Sequence, residues 1–106
     1  MSAIASAQTI EHGLASYYSD KFEGKITANG ERYHKDSLTA AHLSFPFGTM
    51  VKVTNVKNNK YVIVKINDRG PYIKGRIIDL SRKAMEILDG INDGVIDVKI
   101  EVDFEK

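Results

Sequence analysis

The sequence predicts a small, mainly β domain: a barrel or sandwich of about six short strands carrying one helix. Three observations predict it. Apolar and polar residues alternate over Val62-Val64-Ile66 and again over Val98-Ile100-Val102-Phe104, the period of strands with one buried face. Only the stretch after Ser81 places apolar side chains at helical spacing, at Ala84, Met85, Ile87 and Leu88. The segments between are rich in Gly, Asn and Asp, the residues of turns. A chain of 106 residues holds one such core and no second.

The elements follow in order. Residues 1–12 lack strong periodicity and read as a loose leader, in which Ala5-Ser6-Ala7 has the small-x-small form of a signal-peptide remnant. The domain is expected over residues 13–106. Gly13 to Tyr18 is a short strand, and residues 19–37 form a polar loop broken by Gly24, Asn29 and Gly30. Loops of that length in a compact domain are usually functional. Leu38 to His42 is short and ambiguous. Thr49–Val56 and Tyr61–Asp68 form a hairpin closed through Asn58-Asn59, the clearest pairing in the chain. Arg69-Gly70-Pro71 then breaks the strand. Arg76 to Ile78 is a further strand leading to Ser81, a good N-cap for a helix over 81–89, with Gly90 at the C-terminal cap. Asn92-Asp93-Gly94 turns the chain into the last strand, 95–104.

Composition excludes several classes. Charged residues make up 27% with a net charge of +1, so nothing resembles the basic patch of a nucleic-acid partner. There is no cysteine, hence no disulfide framework or thiolate metal site. No apolar run approaches the roughly 18 residues of a membrane span. His12, His34 and His42 lack zinc-ligand spacing, and no metal or other cofactor is expected. No serine sits in a nucleophile elbow and no glycine-rich phosphate loop opens a helix.

Asp68 is the first residue to consider for chemistry. It continues the parity of Val62, Val64 and Ile66, which sets it at the rim of a core beside a rigid Gly-Pro turn. Partial desolvation there would lift a carboxyl above the ordinary value of about 3.9 and let it hold a proton, as a general acid must. The plainer alternative is that Asp68 caps the turn by accepting from the amides of Arg69 and Gly70. Glu31 follows the turn-forming Asn29-Gly30 pair and could equally be a solvated side chain. Asp79, between strand and helix, reads as structural, bonded to backbone amides or to Arg76.

Five segments occur together in order: Thr27-Ala28-Asn29-Gly30-Glu31, Leu38-Thr39-Ala40-Ala41-His42, Pro46-Phe47-Gly48-Thr49, Ile66-Asn67-Asp68-Arg69-Gly70-Pro71 and Gly75-Arg76-Ile77-Ile78-Asp79-Leu80-Ser81. With these, the chain resembles the rare lipoprotein A (RlpA) domain over about residues 13 to 102. The resemblance implies a six-stranded double-psi β-barrel, which propensity alone does not give. It implies a bacterial protein of the periplasm or cell envelope that acts on peptidoglycan glycan strands, expected here as a monomer. It also implies Asp68 as catalytic acid with His42 and Glu31 as its neighbours. Thr27, Asn29 and Arg69 lie in the same motifs and are expected to contact substrate. Of the aromatics near them (Tyr17, Tyr18, Phe45, Phe47, Tyr72), Tyr17 and Tyr72 are expected to stack on sugar.

Two readings of function follow. In the first, a lytic transglycosylase cleaves between N-acetylmuramic acid and N-acetylglucosamine and leaves a 1,6-anhydro end. One principal carboxylate suffices there, because the substrate's own C6 hydroxyl attacks where a hydrolase must activate water. In the second, the domain is an expansin-like module that binds glycan without cleaving it. A water-using glycosidase pairing Asp68 with Glu31 is a third possibility. Neither a lipid-attachment cysteine nor a sporulation-related repeat occurs in these residues, so anchoring and septal targeting are not carried over.

Overall fold

The computed structural model describes the backbone of residues 6–105 and the side chains of residues 8–103. Six strands close into a barrel: β1 (Ser6–Tyr17), β2 (Thr39–Ala41), β3 (Met50–Asn55), β4 (Tyr61–Asp68), β5 (Arg76–Leu80) and β6 (Ile96–Glu105). One helix, α1 (Arg82–Ile87), lies between β5 and β6. Around the barrel the order is β1-β5-β2-β4-β3-β6, with β1/β5 and β2/β4 parallel and the other four pairings antiparallel. Two interlocked parallel pairs make this the double-psi barrel that the resemblance implied.

Alternation builds the core as expected. Val51 and Val53 of β3, Val62, Val64 and Ile66 of β4, and Val98, Ile100 and Val102 of β6 all face inward and are buried. Phe104, expected to continue that face, has its side chain outside the described residues. The hairpin closes through the turn foreseen, with Asn59 in the left-handed region at φ 64°. Its Asn55 and Asn58 side-chain amides both donate to the Leu88 carbonyl, at 2.9 and 3.1 Å. They satisfy one of the carbonyls that a helix end leaves open and pin α1 to the hairpin.

Three boundaries differ from expectation. The expected leader through residue 12 is strand from Ser6 onward, because β6 supplies a ten-position antiparallel partner that no local pattern announces; residues 1–5 lie outside the described residues. The helix begins where Ser81 caps it, its Oγ accepting from Ala84 N at 3.2 Å, but it ends at Ile87, short of the expected 89. Gly90 is not the left-handed cap either. Asp89 takes that conformation at φ 59°, its N–H donating to the Glu86 carbonyl while Gly90 N–H reaches Met85, the paired bonds of a Schellman motif. Gly90 is needed for space: a Cβ there would lie 2.5 Å from Met85 Sδ and 3.1 Å from Ile96 Cδ1, both in the packed core. Gly90→Ala is therefore expected to lower stability by about 1–3 kcal/mol through overpacking, measured by urea unfolding.

The long 19–37 segment is organised rather than loose. A single 3-10 turn at Asp20–Phe22 is followed by a Ile26↔Arg32 bridge, with Gly24 N–H donating to Tyr33 O and Tyr33 N–H to Lys25 O. Tyr33 is buried and stacks on Tyr18 at 4.3 Å, and both pack on Ala41 as a small second core outside the barrel. That cluster presses the loop against the end of β4, where Asp68 stands.

Candidate active site

Asp68 ends β4 half-buried, with three hydrogen bonds on its carboxylate. Oδ1 accepts the main-chain N–H of Ala28 at 2.8 Å and of Arg69 at 2.9 Å; Oδ2 accepts the Tyr18 hydroxyl at 2.6 Å. The Arg69 amide is the turn-capping partner foreseen; the second amide comes from Ala28 across the loop, not from Gly70. The two oxygens differ chemically. Both partners of Oδ1 can only donate, whereas a phenol can donate or accept. A proton on this carboxyl therefore has its place on Oδ2, with Tyr18 free to reverse the bond. Burial, then the bond to Asp68, pushes the Tyr18 hydroxyl far above the ordinary tyrosine range, so it keeps its proton at any physiological pH.

Asp68, Tyr18, Phe22, Lys25, Ile26, Thr27 and Tyr33 line one cleft of about 330 Å³. Phe22 and Ile26 leave large apolar surfaces exposed at its wall, suited to the apolar face of a sugar ring. The loop that carries Ala28 is held by its own polar side chains. Thr27 is buried and its hydroxyl donates to the Glu31 carbonyl at 2.7 Å, and Asn29 Oδ1 accepts Glu31 N–H at 3.0 Å. Asn29 N–H in turn donates to Asn67 O at 3.2 Å. Thr27 and Asn29 thus aim the Ala28 amide at Asp68.

Glu31 lies in the neighbouring groove with Lys65, Asn67, Thr39, Ser37, His34 and Arg32. Lys65 Nζ reaches its Oε2 at 3.0 Å and Asn67 Nδ2 its Oε1 at 3.2 Å. The Lys65 bond first, then those of Asn29 and Asn67, hold the Glu31 carboxyl below its ordinary range. A carboxylate so held is a weak base, which disfavours it as the water activator of a hydrolase.

His42 is placed differently from expectation. The expected meeting of Glu31, His42 and Asp68 side chains in one groove does not occur: the ring of His42 is 3% exposed and stacked on Phe45 at 3.7 Å. Its Nδ1 accepts from Ser44 N and Phe45 N, and Nε2 lies 3.1 Å from Glu11 Oε1. It meets Asp68 through the backbone, His42 N–H donating to Asp68 O at 3.2 Å. Ala40 packs in the barrel core and Ala41 on the Tyr18–Tyr33 cluster, and His42, the residue after β2, turns back onto Phe45.

Of the remaining candidates, Arg69 donates to the His42 carbonyl at 3.3 Å and lies over the Phe47 ring at 4.0 Å. Tyr72 is 80% exposed beside Pro71, in an apolar groove with Leu43 and Ile73. Tyr17 is half-buried and packs against the core, while its neighbour Tyr18 touches Asp68. No sequence signal distinguished the two, because the β1/β5 register shifts between Leu14 and Ala15 just before them. Among the described residues no three His, Asp or Glu side chains gather as a metal site, and no helix is long and apolar enough to cross a membrane.

Asp79 takes a hydrogen bond from Ser16 Oγ at 2.7 Å. Burial pushes its carboxyl up, as does the charge of Asp68, against the Ser16 bond and the Arg76 charge. A carboxyl raised in the fold costs stability when it ionises. That cost is absent below the unfolded value of about 3.9 and grows as pH rises through the folded value. Asp79→Asn is thus expected to match the wild type in acid and to gain in melting temperature as pH approaches neutral, by calorimetry across pH.

Residues 10–100 match the family described as "Lytic transglycolase". Relatives include "Endolytic peptidoglycan transglycosylase RlpA" of Rickettsia felis, 55% identical over 94 residues, covering 86% of this chain and 41% of the relative. The "Probable endolytic peptidoglycan transglycosylase RlpA" of a Nostoc species is 53% identical over 92 residues, covering 85% and 25%. The chain thus spans well under half the length of these relatives. Among solved structures, the barrel is similar to a Streptomyces papain inhibitor (TM-score 0.70, 23% identity, covering 90% of this chain and 94% of that one). It is also similar to a Clavibacter michiganensis expansin (TM-score 0.69, 25% identity, covering 91% and 50%). A match running nearly the length of the chain, on a double-psi barrel, makes this chain a member of the lytic transglycolase family.

Proposed function

We propose that the domain is a peptidoglycan lytic transglycosylase that cleaves between N-acetylmuramic acid and N-acetylglucosamine and leaves 1,6-anhydro ends. The observation that carries the reading is the asymmetry of the Asp68 carboxylate. Oδ1 is fixed by two amides, while Oδ2 is bonded, among the described residues, by a reversible phenol alone beside an apolar-walled cleft. Asp68 Oδ2–H protonates the glycosidic oxygen as the C1–O bond breaks. The C6 hydroxyl of the same sugar then bonds to C1 and returns its proton to Oδ2, so the carboxyl ends as it began. Glu31, kept ionised by Lys65, places negative charge next to the cleft where positive charge develops on the sugar. Arg69, next in the chain to Asp68, and Tyr72, exposed in the groove beside Pro71, are the contacts for the continuing strand. All these groups come from one chain, so a monomer suffices, and the peptidoglycan named in its relatives' titles supports work in the bacterial cell envelope.

The likeness to an expansin supports a second reading, in which the same cleft binds glycan without chemistry. Incubation with purified glycan strands separates the two. Mass spectrometry is expected to find products lighter than reducing ends by one water. Unchanged strands that nevertheless co-sediment with the protein would establish the binding module, and reducing ends a hydrolase.

A further inference from the structure

The His42 ring is a fixed donor aimed at one acceptor, on the part of β1 that carries no sequence signal. Its Nδ1 receives the main-chain N–H groups of Ser44 and Phe45, both at 3.0 Å. Amides only donate, so Nδ1 carries no proton and the neutral ring bears its hydrogen on Nε2. That N–H is buried, and Glu11 Oε1 at 3.1 Å is the acceptor that satisfies it. We propose that Glu11 is a positioning residue: by accepting His42 Nε2–H it fixes the 42–47 loop that supports Arg69 and the end of β4 beside Asp68. The path is continuous. The ring holds the Ser44 and Phe45 amides, the His42 N–H and carbonyl bind Asp68 O and Arg69 Nη1, and Arg69 lies on Phe47 from the same loop.

In this arrangement His42 never touches the reacting sugar and acts as the strut between Glu11 and the site. Glu11 itself has 36% of its side chain exposed, so replacing it tests the contact without opening the core. The proposal rests on the transglycosylase reading only for its activity readout.

The test uses the whole chain as wild type, Glu11→Gln and Glu11→Ala. Imidazole ¹⁵N spectra of the wild type are expected to show His42 protonated on Nε2 and bare on Nδ1. Glutamine offers the same carbonyl oxygen and should leave amide exchange at Ser44 and Phe45, and anhydro-product release, within about twofold of wild type. Alanine should speed that exchange at least tenfold and lower kcat about tenfold with KM nearly unchanged, as expected for a displaced acid rather than lost substrate contacts. A proton on Nδ1, unchanged exchange in Glu11→Ala, or equal losses in Gln and Ala would overturn the role given to Glu11. If the wild type releases no anhydro ends, the transglycosylase reading fails, and the spectra and exchange rates alone decide the role of Glu11.

Discussion

Asp68→Asn is expected to abolish release of anhydro ends, a loss of about 10²–10⁴-fold, the usual contribution of general acid–base catalysis. Asparagine keeps the size of aspartate, and its amide oxygen can still accept from Ala28 N and Arg69 N, so the loop stays seated. Its NH₂ would replace Oδ2 and could donate to the Tyr18 oxygen, but it has no proton to exchange with a sugar. Glycan affinity should therefore stay within about tenfold of wild type, or about 1.4 kcal/mol. Co-sedimentation and product mass on the same samples check both halves. A variant that still releases anhydro ends would remove Asp68 from the mechanism.

Tyr18→Phe is the second large effect. It deletes the partner that Oδ2 has among the described residues while leaving the stacking on Tyr33 and the edge contact with Phe22 in place. A hydrogen bond to a charged group is worth about 1.5–3 kcal/mol where water cannot replace it. Here the cleft admits water, so a stability loss of about 1 kcal/mol, below that range, is expected from urea unfolding. Activity should fall further, about 10–100-fold, because the phenol orients the oxygen that must give and regain the proton. Stability and activity measured on one preparation separate the roles: a fall in stability alone would make Tyr18 a packing residue.

What the sequence made legible follows from how local each signal was. The β3–β4 hairpin, the Ser81 cap and the inward face of β6 depend on residues a few positions apart, and each is where the pattern set it. The start of β1 depends on β6 some ninety residues away, and Gln8-Thr9-Ile10-Glu11-His12 reads as loop until that partner is known. Asp68 was legible because strand parity and a Gly-Pro turn converge on it. Of its partners the Arg69 amide was legible and two were not: the backbone amide of Ala28, which no side chain advertises, and the hydroxyl of Tyr18, which no pattern tied to Asp68. Glu31 stands in a groove with Lys65 and Asn67, whereas His42, just past β2, is buried against Phe45.

The seam between β1 and β6, from Ser6↔Glu105 to Ala15↔Ile96, has a consequence for the order of assembly. Of the six staves of this hoop a ribosome makes β1 before the others and its neighbour β6 after them. Until residues 96–105 emerge, β1 and β3 each present a bare edge, and bare edges invite pairing with other chains. Tyr18 and Asp68 stand fifty residues apart and meet across strands that only a closed hoop holds in register. Contacts of such separation form late and slowly. The cleft thus takes shape only once β6 is made, and a nascent chain that stops short of it carries all five motif segments without the closed barrel that aligns them.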